Sequence, residues 1–300
     1  MDFFSILLIV IGLVLFETVS SIDNAIINAD VLSTMGANAR RFFVTWGIFF
    51  AVFVVRGILP WLIVWVTIPS LGFIGSFTST FSNDPAVHDA IATSAPVLLM
   101  GGGIFLLLLF FHWIFLEEKK YGFRFERIVN QHGVWFYAVA SLLLAVVVWY
   151  AMKENPMVGF GAVVGSTAFF IVHGFRLQAE KAEEEMKGST MSDWSKVFFL
   201  EVIDLSFSID GVLGAFAFTL SIPLILIGNG IGAVVVRQLT VANIDRVKKY
   251  AFLKNGAMYS ILVLGGVMIA HGFMIHVPEW VSPVATIGIV AYFFHRSKKN

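Results

Sequence analysis

Residues 197–219 read VFFLEVIDLSFSIDGVLGAFAFT, a stretch that is apolar except for its hydroxyls and the three acids Glu201, Asp204 and Asp210. A bilayer-spanning helix takes roughly 20 mostly apolar residues, so the length fits a span and the acids do not. An early stretch has the same character: residues 13–30, LVLFETVSSIDNAIINAD, place Glu17 and Asp23 within a second apolar run. Each carboxylate at mid-membrane costs about 2.5–3.5 kcal/mol even on the lenient insertion scale. Five cost of order 15 kcal/mol, as much as the whole stability of a typical domain. Such groups must face a shared interior and be neutralised there, by protons, by bound cations or by Arg56, which lies inside the expected second span.

The two stretches also match. Glu17-Thr-Val-Ser-Ser-Ile-Asp23 aligns with Asp204-Leu-Ser-Phe-Ser-Ile-Asp210, an acid followed by five residues and an aspartate, with Ser-Ile before that aspartate. Asn24 and Gly211 follow. The copies lie on spans one and six, five spans apart from start to start, so they enter the membrane from opposite faces, as in transporters that hold a midplane site between inverted repeats.

The rest of the chain agrees with a membrane domain. It is 58% hydrophobic and 13% charged, where a soluble domain carries about 25% charged residues. Nine spans are expected, at about 4–30, 42–67, 94–116, 134–152, 157–175, 197–220, 222–237, 256–275 and 279–295. Pro223 marks the break between the sixth and seventh. Of the 20 Lys and Arg, all but Lys153 and Arg56 fall on alternate loops, which by the positive-inside rule puts the N-terminus outside and the C-terminus in the cytoplasm. The segment after the fifth span, Leu177–Met191, reads as a short charged cytoplasmic helix with Glu–Lys pairing. One all-α polytopic domain over 1–300 results, with a first repeat at about 1–116, connecting spans at 134–176, a charged segment at 177–193, a second repeat at 197–275 and a last span. The inverted repeat relates spans 1–3 to spans 6–8.

Several classes are excluded. Zero net charge implies neither a nucleic-acid partner nor an acidic substrate. The absence of cysteine rules out disulfides, thiolate zinc sites and cysteine nucleophiles. The start, MDFFSILLIV, lacks the basic region of a signal peptide and reads as a retained first span. No catalytic triad is recognisable, and the Gly-x-Gly-Asp setting of two-aspartate intramembrane proteases is missing, so no enzyme is expected. Gly101-Gly102-Gly103 has neither the strand nor the basic residue of a phosphate loop. His112, His173 and His271 read as packing or interfacial histidines before ligands, and Asp84, His88 and Asp89 as ordinary polarity of an outer loop.

Helical geometry constrains the acids. At 100° per residue Glu17, Ser21, Asn24 and Asn28 share a face, with Asp23 well off it. Glu201, Asp204 and Ser208 share a face, with Asp210 roughly opposite Glu201. Either the helices unwind near Ser20–Asp23 and Ser206–Gly211, or they are sandwiched between two inner surfaces; unwinding is the preferred expectation. Carboxylate, amide and hydroxyl oxygens form a hard ligand set suited to Mn²⁺, Mg²⁺ or Ca²⁺. Asn229, within the GNGIG of span seven, is a further candidate to line a pathway.

The Ser-Ile-Asp23-Asn24 segment and Glu201-Val-Ile-Asp204-Leu-Ser-Phe-Ser-Ile-Asp210-Gly resemble the TerC family of integral membrane proteins, in particular its long, uncharacterised, DUF475-like branch. The resemblance implies a fold of many spans in the bacterial inner membrane. It also implies an activity like that of manganese exporters that supply metal to proteins leaving the cell; closely packed carboxylates, which cannot all ionise without a cation, separately permit proton-for-metal exchange. By motif it carries the cation ligands to Glu17, Asp23, Asn24, Glu201, Asp204 and Asp210, with Arg56, Ser20, Ser21, Asn28, Ser208 and Asn229 as pathway or charge-balancing residues. The expected partners are the metal ion, the lipid bilayer and a second copy in a homo-oligomer. Two rivals are a non-transporting assembly factor with a structural metal site and an exporter of the tellurite oxyanion. The last wants a basic pocket, for which the spans offer only Arg56.

Overall fold

A computed structural model of the chain describes residues 2–47, 50, 57–78, 85–187, 192–242 and 249–298. The described elements are helical, in the order α1 (Phe3–Ser20), α2 (Ile22–Ser33), α3 (Ala37–Phe42), α4 (Leu59–Thr67), α5 (Gly72–Thr78), α6 (Pro85–Leu116), α7 (Arg124–Gln131), α8 (Phe136–Glu154), α9 (Pro156–Lys187), α10 (Asp193–Ala215), α11 (Ile222–Ala242), α12 (Leu253–Gly272) and α13 (Val281–Lys298). Six are long and apolar enough to cross a membrane: α1, most of α6, α8, most of α9, α11 and α12. They match the expected first, third, fourth, fifth, seventh and eighth spans. The expected second span runs through residues outside those described. The sixth, α10, has the length but carries Asp193, Lys196, Glu201, Asp204 and Asp210, and the ninth, α13, is 18 residues ending in His295, Arg296 and Lys298.

Burial runs in the sense expected of a membrane protein. Phe3, Phe198, Leu142, Trp149 and Phe160 are exposed, while Glu17, Asn28, Asp204, Asp210, Asn229 and Arg237 are buried. Soluble surfaces rarely gather large apolar patches, because each exposed large side chain forgoes about 1.5–3 kcal/mol of burial.

α6 is the central post, packed by α9 on one side and α12 on the other. The Gly101–Gly103 run makes this possible. A Cβ on Gly101 would lie 2.9 Å from the carbonyl oxygen of Gly161 on α9, and one on Gly103 would lie 2.9 Å from that of Gly265 on α12. Gly161 and Gly165, one turn apart on α9, both face α6 backbone. This is the small-residue packing that lets helices associate where lipid removes the hydrophobic drive.

The first span is broken, as expected, and the sixth is not. α1 ends at Ser20, and Ser21 leaves helical geometry (φ −89°, ψ 4°) before α2 resumes. Local hydroxyl bonds favour a bend there, since Thr18 Oγ1 donates to Val14 O at 2.7 Å and Ser20 Oγ to Glu17 O at 3.3 Å. α10 instead runs helical from Asp193 to Ala215 without the unwinding expected near Ser206–Gly211. Pro223 falls in the first turn of α11, where its missing N–H costs nothing. The charged segment after span five is a continuation of α9 to Lys187 and not a separate helix. Ala, Glu and Lys are strong helix formers, and no breaker intervenes before Gly188.

Candidate functional site

α1–α2 and α10 run antiparallel along their length. A Cβ on Gly12 would meet Phe218, Gly214 lies against Phe16, and Gly211 against Glu17. At the far end the amide of Gly36 donates to Asp193 Oδ2 at 2.8 Å, and Lys196 Nζ reaches Thr34 Oγ1 at 3.2 Å. The two acid-bearing segments therefore cross with opposite directions, and Glu17 lies against α10 at Gly211.

Glu17 is fully buried and accepts from Ser21 Oγ at 2.9 Å. Its stem lies against Gly232 of α11, and its Oε2 would be 2.6 Å from a Cβ on Gly211. Asn24 and Gly211 sit at matching places in the two copies of the motif. Gly211 leaves the room that the Glu17 carboxylate fills, which gives the asymmetry a steric reason. Asn229, also on α11 and fully buried, lies beside the same backbone, with Nδ2 3.5 Å from Gly211 O. Asn28 and Ser208 are buried too; Ser208 Oγ donates to Asp204 O at 2.6 Å, so that hydroxyl is engaged with its own helix.

The acids of α10 face two sides, as the 100° spacing requires of an unbroken helix. Asp210 accepts from Arg176 Nη2 of α9 at 2.6 Å, with both side chains 12% exposed. Glu201 points the other way, where its Oε1 lies 3.6 Å from Arg237 Nη2 of α11 and its carboxylate touches Gly47. Arg237 in turn stacks on Phe43, with the guanidinium carbon 3.9 Å from the ring centroid. α10 is thus sandwiched between two surfaces, each supplying a cation. This corrects the expectation that only Arg56 brings positive charge into the spans: Arg176 and Arg237, expected on cytoplasmic loops, reach back to the acids. Arg56 lies outside the described residues, and the side chains of Asp23, Asn24 and Ser206 are likewise not described.

Among the described residues no three His, Asp or Glu side chains gather closely enough to hold a metal ion. Several buried oxygens nevertheless have no hydrogen-bond partner among the described residues: Asp210 Oδ1, Asn229 Oδ1, Asn28 Oδ1 and Glu201 Oε2. A buried unsatisfied acceptor costs about 1–3 kcal/mol. Such acceptor oxygens, carried on α2, α10 and α11 with carboxylates among them, are of the type that receives protons or hard cations.

Of the three histidines in the spans, His271 is tied to the backbone of Val277, with Nε2 3.1 Å from its carbonyl oxygen. It lines a cavity of about 440 Å³ with Pro96, Thr219, His276 and Glu279. His112 and His173 instead face each other across α6 and α9, with ring centroids 4.0 Å apart.

Helices that are apolar outside and acidic inside define a polytopic membrane protein. The chain belongs to the DUF475 family, described as proteins of unknown function, whose family model matches residues 22–300. It is similar to the "Uncharacterized membrane protein YceF" of Bacillus subtilis (strain 168), at 29% identity over 98 residues, covering 33% of this chain and 38% of that protein. The match thus spans well under half of that relative's length. No solved structure matches the chain.

Proposed function

We propose that this protein is a divalent-cation transporter of the bacterial inner membrane. In this reading its cargo is held by Glu17, Asp23, Asn24, Glu201, Asp204 and Asp210, and manganese export is the first assignment to test. The observation that carries the reading is the neutralisation of α10. Two acids with buried carboxylate oxygens each face an arginine from another helix, so the charge a cation would supply is supplied by a guanidinium. A purely structural ion pair gains little over well-packed apolar residues, since desolvation offsets the Coulomb attraction. Retaining two such pairs next to unsatisfied oxygens fits a site that exchanges an internal cation for an external one. The resemblance to the TerC family supplies manganese, and the all-oxygen character of the site agrees with a hard ion.

Nine spans with an inverted repeat belong to the same reading. The helix contacts support it: α1 packs on α11 and α10 on α3 and α4; α1 touches α12 and α10 touches α6; α6 and α12 pack together. Each of these contacts has its counterpart when spans 1, 2 and 3 are exchanged with 6, 7 and 8. Reporters fused at both ends test the topology, with the N-terminus expected outside and the C-terminus inside; both on one side would refute the span count. Arg176 and Arg237 do not favour the oxyanion exporter, because each faces a carboxylate. Flux of Mn²⁺, Ca²⁺ and Mg²⁺ in proteoliposomes, with and without a pH gradient, tests the function. Saturable flux of one ion supports it. Vesicles no leakier than protein-free controls would leave the assembly-factor reading.

A further inference from the structure

Beside the Arg176–Asp210 pair, and separate from the acid cluster, stands a second group of titratable side chains that the proposed site does not use. His112 is on the last turns of α6 and His173 on α9, one turn before Arg176. Their rings are 4.0 Å apart, centroid to centroid. Around them the walls are aromatic: Phe136 of α8 meets His112 edge-on at 5.6 Å, and Phe169 stacks on His173 at 5.7 Å. Beyond His112, just past the end of α6, Glu117 places Oε1 3.5 Å from His112 Nδ1, with side-chain exposures of 12% for His112 and 26% for Glu117. The other oxygen of Glu117 takes the Nζ of Lys254 from α12 at 2.7 Å.

We propose that His112 and His173 form one shared proton-binding site, reached from the Glu117 end of α6 and placed next to the Arg176–Asp210 pair. Two imidazolium rings at this distance repel strongly, so a proton on one ring disfavours a second proton on the other. The pair therefore holds one proton and not two over the working range. The charges facing it are Glu117, itself bound to Lys254, on one side, and Arg176 with Asp210 on the other; α8 contributes only the Phe136 ring. The one proton is shared between the two rings. One bond forms and one breaks: hydronium at the Glu117 end loses an O–H bond and leaves as water, and one imidazole nitrogen gains the N–H. What the proton does next rests on the transport reading; its binding does not, and the test requires no flux.

The experiment is proton counting on the purified full-length protein in detergent between pH 8.5 and 5, comparing wild type with H112Q, H173Q and H112Q/H173Q. One shared proton predicts that each single variant takes up as many protons as wild type and that the double variant takes up one fewer. Loss of one proton by each single variant and two by the double would mean two independent histidines. No loss in any variant would mean the pair stays unprotonated. Either result, or loss confined to one single variant, overturns the proposal. Ring-nitrogen NMR of ¹⁵N-histidine wild type guards against misfolded variants: both rings must shift over the same pH interval, each by about half the full amplitude, and full-amplitude shifts at separate pH values would also overturn it.

Discussion

Removing Arg176 separates a neutralised cluster from a merely crowded one. In Arg176→Gln the carboxylate of Asp210 loses the guanidinium that donates to Oδ2 at 2.6 Å, while its Oδ1 has no hydrogen-bond partner among the described residues. Breaking a buried pair by removing one partner costs about 3–5 kcal/mol, because the remaining charge is left uncompensated. At roughly 2–4 °C per kcal/mol for a chain of this size, Tm should fall by about 10 °C in a detergent melt followed by intrinsic fluorescence. The double variant Arg176→Gln/Asp210→Asn removes both charges and should recover most of that loss, since two amides cost far less to bury than one unpaired charge. The same logic gives a cation effect. Mn²⁺ should restore Arg176→Gln more than it raises wild type, because in wild type it must first displace the arginine; at 100 times its Kd a ligand adds about 2.7 kcal/mol. An Arg176→Gln protein as stable as wild type, or a double variant no better than the single, would refute the view that Arg176 neutralises Asp210.

Other consequences are as direct. Gly165→Ala should destabilise by about 1–3 kcal/mol, because its Cβ would press on the Gly101 backbone, whereas Gly266→Ala should be neutral because nothing lies within 4 Å of its Cβ; paired melts check this. Glu126 is buried and accepts from Gly122 N at 2.7 Å, Asn255 Nδ2 at 3.2 Å and Tyr259 Oη at 2.8 Å. Glu126→Ala strands those donors, and a loss of about 2–4 kcal/mol should appear as faster proteolysis between α6 and α8. Burial works to raise the Glu117 carboxyl, but His112 and Lys254 outweigh it and hold it well below its usual 4.5. Its contribution to stability is therefore full above about pH 4.5 and is lost as pH falls through the lower folded value. Lys254→Met should lower stability at pH 7 and move the acid limb of the stability profile to higher pH, as read in melts from pH 7 down to 3.

Legibility followed physical cost. Glu17, Glu201, Asp204 and Asp210 stand out because a charge in an apolar run is expensive, and all four are held in the interior. The opposed faces of α10 were also readable, since Glu201 and Asp210 lie nine residues apart on an unbroken helix. Arg176 and Arg237 were not, because a basic residue at the end of a span has two homes. It can snorkel to the headgroups, which the alternation of basic loops favours, or turn inward to an acid, which only packing decides. The burial of Glu126 was not legible either, because two of its partners, Asn255 and Tyr259, are more than 100 residues away in the chain. The glycines at 101–103 signal close approach, but not that successive ones serve different neighbours. The bend at Ser21 and the straightness of α10 diverge although both carry Ser-Ile-Asp. The difference lies in the preceding residues, where Thr18 and Ser20 bond back to the first helix.

Equilibrium Mn²⁺ binding to purified wild type and Asp210→Asn, measured by the loss of the free-ion electron paramagnetic resonance signal, tests the central claim most directly. The amide is nearly isosteric, keeps one oxygen and removes one charge. The transport site predicts saturable binding to wild type and at least about tenfold weaker binding to a folded, inserted Asp210→Asn protein, a loss of about 1.4 kcal/mol or more. Equal binding by the two proteins, or no binding to wild type at millimolar Mn²⁺, would contradict it.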